Sequence, residues 1–486
     1  MKIIILGAGR VGHSVAESLV SERNDITVID TDSRRLRELE ARFDLRGVVG
    51  SGTDPAVLAE AGARDTDLLI ACAALDETNL VCCKIADVLF NVPTRIARVR
   101  SSGFAGDSPL LGKEGFAVDR IICPEASLTR YIGKLIEYPE SLQVREFAGG
   151  RACLASARAR AGAPAVGRRI GELRDSMPDL AVRVVAIYRR FADEPDRFVR
   201  CDGMTLIEPG DEVFVLAARD QLPQILSALH RAHGQQAKPV RRIMIVGGGG
   251  VGQRLASQLA QEPGRFDVKV LEESEQRCTE LAAALPTDVL VLQGDPTDED
   301  LLGDENVEEV DLFLALTDDD EDNIMSCLLA KRMGATRVLS LINRRTYADL
   351  MHGTQIDIAL SPAQAMLGEL LAYARRGDVQ AVHSLRRGVA EALEIVARGD
   401  RKSSRVVGRR VEELRLPSEV HIGLIVRGLD DTPPEPGAPM PAPEPQVIIP
   451  RSHTVIESND HVVFFLPHKR LVRDVEKLFR VSATFF

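Results

Sequence analysis

The sequence predicts an α/β protein built as a tandem duplication. Each copy is a Rossmann-like, doubly wound parallel sheet followed by a smaller α+β domain. Three observations carry this reading. A strand, glycine-rich loop and helix opening occurs twice, as KIIILGAGRVG (Lys2 to Gly12) and RIMIVGGGGVG (Arg242 to Gly252). Further matches follow in the same order: DETN (Asp76 to Asn79) with DEDN (Asp320 to Asn323), VGRRIGEL (Val166 to Leu173) with VGRRVEEL (Val407 to Leu414), and TLIEPGDEVFVLA (Thr205 to Ala217) with TVIESNDHVVFFL (Thr454 to Leu466). Their period, near 240 residues, is that of tandem domains and not of a solenoid. Within each copy, short apolar runs alternate with helical spacings, the mark of βαβ units in a parallel sheet.

In copy one, Ile3 to Leu6 is a short apolar run ending in glycine, as a buried parallel strand should be. Val11 to Val20 has helical spacing, and Ile26 to Ile29 is the second strand. Ser33 is the expected N-cap of the helix holding Leu36 and Leu39. Val48 and Val49, Leu68 to Ala71, Ile96 to Val99 and Val118 to Ile122 supply strands three to six, with a clear helix over Asn79 to Phe90. Copy two repeats the pattern from Ile243 to Leu360. Pro124 and Pro362 each suit the first turn of a following helix. The smaller domains show alternating strand patterns, and PGD (Pro209 to Asp211) and SND (Ser458 to Asp460) read as hairpin turns. These elements place a first Rossmann lobe at 1–123, a crossover helix at 124–141, a first small domain at 142–230 and a linker at 231–240. The second copy has its Rossmann lobe at 241–361, its crossover helix at 362–378 and its small domain at 379–486, with a proline-rich, extended insertion at 431–446.

Composition narrows the function. Lys plus Arg is 61 against 72 Asp plus Glu, and the net charge of −11 argues against a nucleic-acid binder. No apolar run approaches the roughly 18 residues needed to span a bilayer, so a cytoplasmic protein is expected unless a partner holds it at a membrane. The eight cysteines form no C-x-x-C pair and read as reduced, mostly buried thiols. The nine histidines have no ligand spacing, so no metal site is expected.

Gly7, Gly9 and Gly12 form G-x-G-x-x-G between a strand and a helix. The first glycine permits a tight turn, the second lets backbone N–H groups approach phosphate, and the third lets helix and strand pack closely. The helix N-terminus then offers free N–H groups and partial positive charge to a pyrophosphate. Asp30, 23 residues after Gly7, can accept from both ribose hydroxyls and would repel a 2′-phosphate, favouring NAD over NADP. Gly247, Gly249, Gly252 and Glu272 repeat this in copy two. Further candidate loops lie at strand ends: Gly50, Ser51 and Gly52, then Ala73 and Ala74, matched by Gly294 with Asp295 and Thr317 with Asp318. The acidic run Asp318 to Asp322 reads either as phosphate-repelling or as a solvated helix start. Arg10 and Arg98 are candidate phosphate donors, with Gly250 and Ser340 expected in their places in copy two. Neither small domain offers a persuasive catalytic residue; His383 and His421 read as surface or satisfied histidines, and no catalytic residue is assigned.

Several stretches resemble the TrkA family: KIIILGAGRVG, DITVIDTD (Asp25 to Asp32), FDLRGVVGSG (Phe43 to Gly52), RIARVRS (Arg95 to Ser101), LIEYPESLQV (Leu135 to Val144), NIMSCLLAKRMGA (Asn323 to Ala335) and VHSLRRGVAEALE (Val382 to Glu394). The resemblance covers nearly the whole chain. It implies two tandem RCK units, each a nucleotide-binding N-lobe with a smaller C-lobe. It implies binding of NAD(H), and also of ATP or ADP, by a non-enzymatic regulatory subunit of a bacterial Trk potassium uptake system. Such subunits assemble as homotetrameric gating rings on the cytoplasmic face of the inner membrane, beneath a TrkH- or TrkG-type subunit that carries potassium. Matched motif by motif, the first nucleotide site would be Gly7, Ala8, Gly9, Arg10, Val11, Gly12, Asp30, Ser51, Gly52, Ala73, Ala74 and Arg98. The second would be Gly247, Gly248, Gly249, Gly250, Val251, Gly252, Glu272, Asp295, Pro296, Thr317 and Asp318. The alternative, from the glycine loops alone, is a soluble NAD-dependent oxidoreductase.

Overall fold

The computed structural model describes residues 1–20, 24–104, 108–173, 180–191, 196–199, 201–232, 238–344, 346–347, 351, 355–375, 378–385, 389–417, 419–429 and 444–481. The chain forms two compact units that group lobes by kind and not by copy. One holds Met1–Gly133 with Val240–Leu370, the other Lys134–Pro239 with Leu371–Phe486. Among the described residues no helix is long and apolar enough to cross a membrane.

The first unit contains both parallel sheets. Copy one supplies β1 (Lys2–Leu6), β2 (Asp25–Asp30), β3 (Arg46–Val49), β4 (Leu68–Ala71), β5 (Thr94–Arg98) and β6 (Arg120–Ile122), in the order β3-β2-β1-β4-β5-β6. Its helices are α1 (Arg10–Val20), α2 (Ser33–Arg42), α3 (Pro55–Glu60), α4 (Asp76–Phe90) and α5 (Pro124–Glu137). The central strands β1 and β4 are buried on both faces, which is why they read as continuous apolar runs. Asp32 caps α2, accepting from the Arg34 N–H at 2.9 Å, so Ser33 is the first helical residue and not the expected cap. Both residues are good caps, and Asp32 wins because its chain is still extended.

The second unit contains both antiparallel sheets. The strands of copy one are β7 (Ser141–Phe147), β8 (Ala152–Arg158), β9 (Val182–Arg189), β10 (Arg197–Val199) and β11 (Glu212–Ala218), in the order β10-β9-β11-β8-β7, with α6 (Leu222–His230) beside them. Copy two repeats the parallel sheet as β12 (Arg242–Val246), β13 (Asp267–Glu272), β14 (Val289–Gln293), β15 (Leu312–Ala315), β16 (Val338–Leu341) and β17 (Ile358–Leu360), in the first unit. Its helices there are α7 (Gly250–Leu259), α8 (Glu275–Ala284), α9 (Glu299–Asp304), α10 (Asp320–Met333) and α11 (Pro362–Ala374). It closes in the second unit with β18 (Val379–Leu385), β19 (Ala390–Val396), β20 (His421–Arg427), β21 (Gln446–Ile448), β22 (His461–Leu466) and α12 (Val472–Phe479). The proline-rich stretch expected at 431–446 lies outside the described residues up to 443.

The PGD and SND turns do not close hairpins. Residues 205–207 pair instead with 167–170, through Gly167 N–H to the Ile207 carbonyl and Ile170 N–H to the Thr205 carbonyl, leaving only an isolated bridge. The turn itself is held by Asp211, which accepts from the Glu208 N–H and from Arg189 of β9. Asp460 and Arg427 repeat this in copy two.

One apolar core runs through both antiparallel sheets, with Phe147, Leu154, Phe214 and Leu216 of copy one against Leu424, Val426, Val463 and Phe465 of copy two. Polar bonds cross the same contact. The Ala148 N–H donates to Glu394 (2.9 Å), whose other oxygen meets His461 Nδ1 (2.6 Å), and His383 Nε2 donates to the Glu146 carbonyl (3.1 Å). His383 is thus a satisfied, half-buried residue, packed edge-on against Phe147. Burial, with help from Arg145, pushes its pKa from the ordinary 6.5 down to about 3.

Two outcomes are expected here. A Cβ on Gly423 would overlap Leu216 Cδ1, so Gly423→Ala should cost about 1–3 kcal/mol, seen as a lower melting temperature. His383 stays neutral in the folded chain, while the unfolded chain takes up its proton near pH 6.5. Its contribution is complete above that pH and is lost on acidification toward pH 3, at up to about 1.4 kcal/mol per pH unit. Denaturant midpoints at pH 7 and pH 5 should therefore differ less in His383→Gln than in the parent chain.

Candidate functional site

In each parallel sheet the chain order reverses between the first and fourth strands, at β1/β4 and β12/β15. Open α/β sheets bind ligands in the crevice at the carboxyl ends of such strands. Both glycine loops lie there. Gly7 and Gly247 have φ of +97° and +93°, in the left-handed region where a side chain is strained. A Cβ on Gly12 or Gly252 would overlap the carbonyl oxygen of Gly7 or Gly247 respectively, so each helix can start against its strand only because both positions lack a side chain. A Cβ on Gly9 or Gly249 would meet nothing within 4 Å, so these middle glycines face open space.

The acidic residues that end the second strands hold these loops. Asp30 accepts from the Ala8 N–H (2.6 Å) and the Asp32 N–H (2.8 Å). Glu272 accepts from the Gly248 N–H (2.8 Å) and the Ser274 N–H (3.0 Å). Each carboxylate oxygen keeps a lone pair for a ribose hydroxyl, but the first duty of these residues is to fix the loop.

The repeated DETN and DEDN motifs have a role that sequence reasoning missed. Asn79 is fully buried; it accepts from the Ala73 N–H (2.8 Å) and donates to the carbonyls of Ala73 (3.1 Å) and Arg98 (2.9 Å). Asn323 accepts from the Thr317 N–H and hydroxyl and donates to the carbonyls of Thr317 and Leu341. Each asparagine ties the ends of its fourth and fifth strands together beside the crevice. Asp76 accepts from the Arg100 and Ser101 N–H groups, and Asp320 from those of Asn343 and Arg344. The repetition of the four-residue motif was the available signal.

These matched bonds correct one expectation. Ala71 pairs with Ala97, and Ala315 with Ser340. The place of Arg98 is therefore taken in copy two by Leu341, while Ser340 is buried within β16. Direct reading of the two segments slips by one residue here.

The second crevice is walled in part by copy one, while Gly7, Gly9, Asp30, Ser51, Gly52, Ala73 and Ala74 of the first do not line it. A cleft of about 710 Å³ lies between the lobes, lined by Arg10 and Val11 of the first loop and by Gly247, Gly249, Gly250 and Val251 of the second. Glu272, Pro296, Thr317 and Asp318 also face it. Copy one contributes Arg98 and Arg100, both 3.6 Å from Glu125 at the start of α5. Burial, and then Arg100, lowers the Arg98 pKa. Arg10 reaches Asp318 of copy two at 3.8 Å. Neighbours in the acidic run differ in what they hold. Asp319 caps α10, Asp320 is buried on backbone amides, and Asp318 is exposed. Desolvation, with Asp319 and Asp295 nearby, raises Asp322. Away from the loops, Ser51 bonds Thr53, a Cβ on Gly52 would crowd Leu6, Ala74 is exposed, and Asp295 is held low by Thr297. Cys72, just before Ala73, is buried and its thiol is pushed up to about 12, so it is an inert wall of the crevice.

The TrkA-N domain family matches residues 3–124 and 243–362, and the TrkA-C domain family matches 154–230. The chain is 48% identical over 486 residues, and over 100% of both chains, to the Trk system potassium uptake protein TrkA of Halomonas elongata. It is similar in fold to the GsuK RCK domain (TM-score 0.57, 18% identity, covering 98% of this chain and 94% of that one). It is also similar in fold to the GsuK channel bound to NAD (TM-score 0.56, 17% identity, 98% and 78%).

Asn79→Ala would leave one buried N–H and two carbonyls at the crevice without their partner. A loss of about 2–4 kcal/mol is expected, measured by denaturant unfolding.

Proposed function

The chain belongs to the TrkA family of Trk-system potassium uptake proteins, and from that premise we propose that it is a nucleotide-responsive, non-enzymatic regulatory subunit. It takes NAD(H), ATP or ADP into its two glycine-loop crevices and passes their state to a membrane-embedded TrkH- or TrkG-type subunit that carries potassium. The working form is a ring of four chains on the cytoplasmic face of the membrane.

The observation that carries this reading is the empty space at Gly9 and Gly249, each at the start of a helix and beside a carboxylate-held turn. Free N–H groups at a helix N-terminus suit a pyrophosphate, and the open side of a middle glycine is where it would approach. In this reading Ala8, Val11, Gly12, Ser51, Gly52, Ala73 and Ala74 form walls and turns of the first site, and Arg10 and Arg98 meet its phosphates. Gly248, Gly250, Val251, Gly252, Asp295, Pro296, Thr317 and Asp318 surround the second. The titratable groups near the loops are committed to backbone amides or to one another, which suits holding a ligand rather than moving a proton. The GsuK channel, similar in fold, has been solved with NAD, which supports NAD as one occupant. Because the cleft is shared by two lobes, a nucleotide that fits one spacing of the lobes better than another shifts their equilibrium. A coupling of about 1–3 kcal/mol is enough to change flux several-fold.

The test is calorimetric titration with NAD, NADH, ATP and ADP. A Cβ at either position meets nothing within 4 Å, so Gly9→Val and Gly249→Val put their side chains toward the open space. Each should weaken nucleotide binding at its own crevice by at least about tenfold while leaving the melting temperature of the free protein nearly unchanged. Gly9→Val should also blunt nucleotide control of potassium flux in vesicles carrying the membrane subunit. Unchanged affinity in both variants would sink the reading. Asp30→Ala is less clean, because it also releases the loop.

A further inference from the structure

The two glycine loops are not held alike. In copy two Gly248 is gripped through both of its peptide planes. Its N–H donates to Glu272, and its carbonyl accepts from Nε (3.0 Å) and Nη2 (2.9 Å) of Arg277 on α8. Arg277 is itself fixed: Nη2 also donates to Gln253 of α7 (2.8 Å), and Nη1 to Glu280 (2.8 Å). Leu281 closes the remaining side, since a Cβ on Gly248 would overlap it. The loop and both flanking helices are thereby joined through one guanidinium.

Copy one has the residue types for this but not the arrangement. Ala8, Asp30 and Arg35 stand where Gly248, Glu272 and Arg277 stand, and Asp30 holds the Ala8 N–H. Arg35, however, reaches back to Asp32 at 3.9 Å, and among the described residues no side chain donates to the Ala8 carbonyl. The place of Gln253 is taken by His13, which packs edge-on against Phe43 and offers Arg35 no amide oxygen.

We infer that Arg277 is a positioning residue that sets the second phosphate-binding loop before any ligand arrives, whereas the first loop must complete its ordering on binding. This rests on the reading that both crevices take nucleotides. The physical reason is that the Gly248 N–H lies in the peptide plane before this residue and its carbonyl in the plane after it, which also carries the Gly249 N–H. With both planes anchored, the Gly249 amide keeps its direction toward the open space. Ordering done in advance leaves more of the contact energy for affinity. The second crevice is thus a preset site and the first an adjustable one.

The experiment uses the full chain and ADP as ligand. In a Gly9→Val background, calorimetry reads the second crevice. Arg277→Ala should weaken ADP there by about tenfold, in keeping with the loss of two charge-assisted bonds, and Arg277→Lys should recover part of it. In a Gly249→Val background, Arg35→Ala should change first-crevice affinity by less than about twofold. Hydrogen exchange of the 248–252 amides in the free protein should accelerate in Arg277→Ala. A merely structural role would lower the melting temperature with ADP affinity unchanged, and that result overturns the proposal. Equal losses from Arg277→Ala and Arg35→Ala overturn it as well. If the Gly9→Val chain with Arg277 intact binds no ADP, the underlying reading of the second crevice fails first, and the proposal falls with it.

Discussion

The whole site depends on one steric constraint: the close approach of the first helix of each sheet domain to the strand before it. A Cβ at Gly12 would overlap the Gly7 carbonyl, and Gly252 stands in the same relation to Gly247. With those positions bare, the helix starts directly over the carboxyl end of the central strand, and its unbonded N–H groups point into the crevice. The asparagine ties between the fourth and fifth strands, and the carboxylates at the end of the second, then fix what faces those groups. Remove the close approach and the helix N–H groups no longer stand over the strand ends that these other contacts hold.

The duplication has kept this steric frame and let the charges drift. Copy one brings Arg10, Arg98 and Arg100 to the shared cleft, and copy two brings Asp318 and Glu272. The antiparallel sheets show the same drift. Ser156 bonds Glu212 in copy one, while in copy two the acid is Glu394 and its partner His461. Between the two copies the backbone geometry is kept more strictly than the side chains that decorate it.

Features set by neighbours in the chain were legible in the sequence. The apolar strands, the glycine loops, and Asp30 and Glu272 at the strand ends could be read because their causes are local. The failures have physical causes of equal clarity. Ser33 and Asp32 are adjacent and both able to cap, so only the backbone angles decide. The PGD and SND turns looked like hairpins because the partner of 205–207 lies some forty residues earlier, at 167–170. Ser340 was matched to Arg98 because the two copies differ in spacing before the fifth strand, and only the sheet register shows the slip. The clamp at Gly248 was invisible because Arg35 and Arg277 occupy the same place in the repeat. The difference lies in whether His13 or Gln253 is there to receive the guanidinium.

The apolar core running through both antiparallel sheets has a consequence for how the molecule must be made. Phe147, Phe214 and Leu216 are covered by residues some two hundred positions later in the same polypeptide. A ribosome that has finished only the first copy has therefore produced a sheet with an uncovered oily face, which must wait for the rest of the chain. Once that arrives, the two faces meet at an effective concentration set by their connection and not by how many molecules the cell holds. The pairing therefore cannot be undone by dilution. A gene encoding half of this chain would yield a protein obliged to find a second copy of itself, or to aggregate.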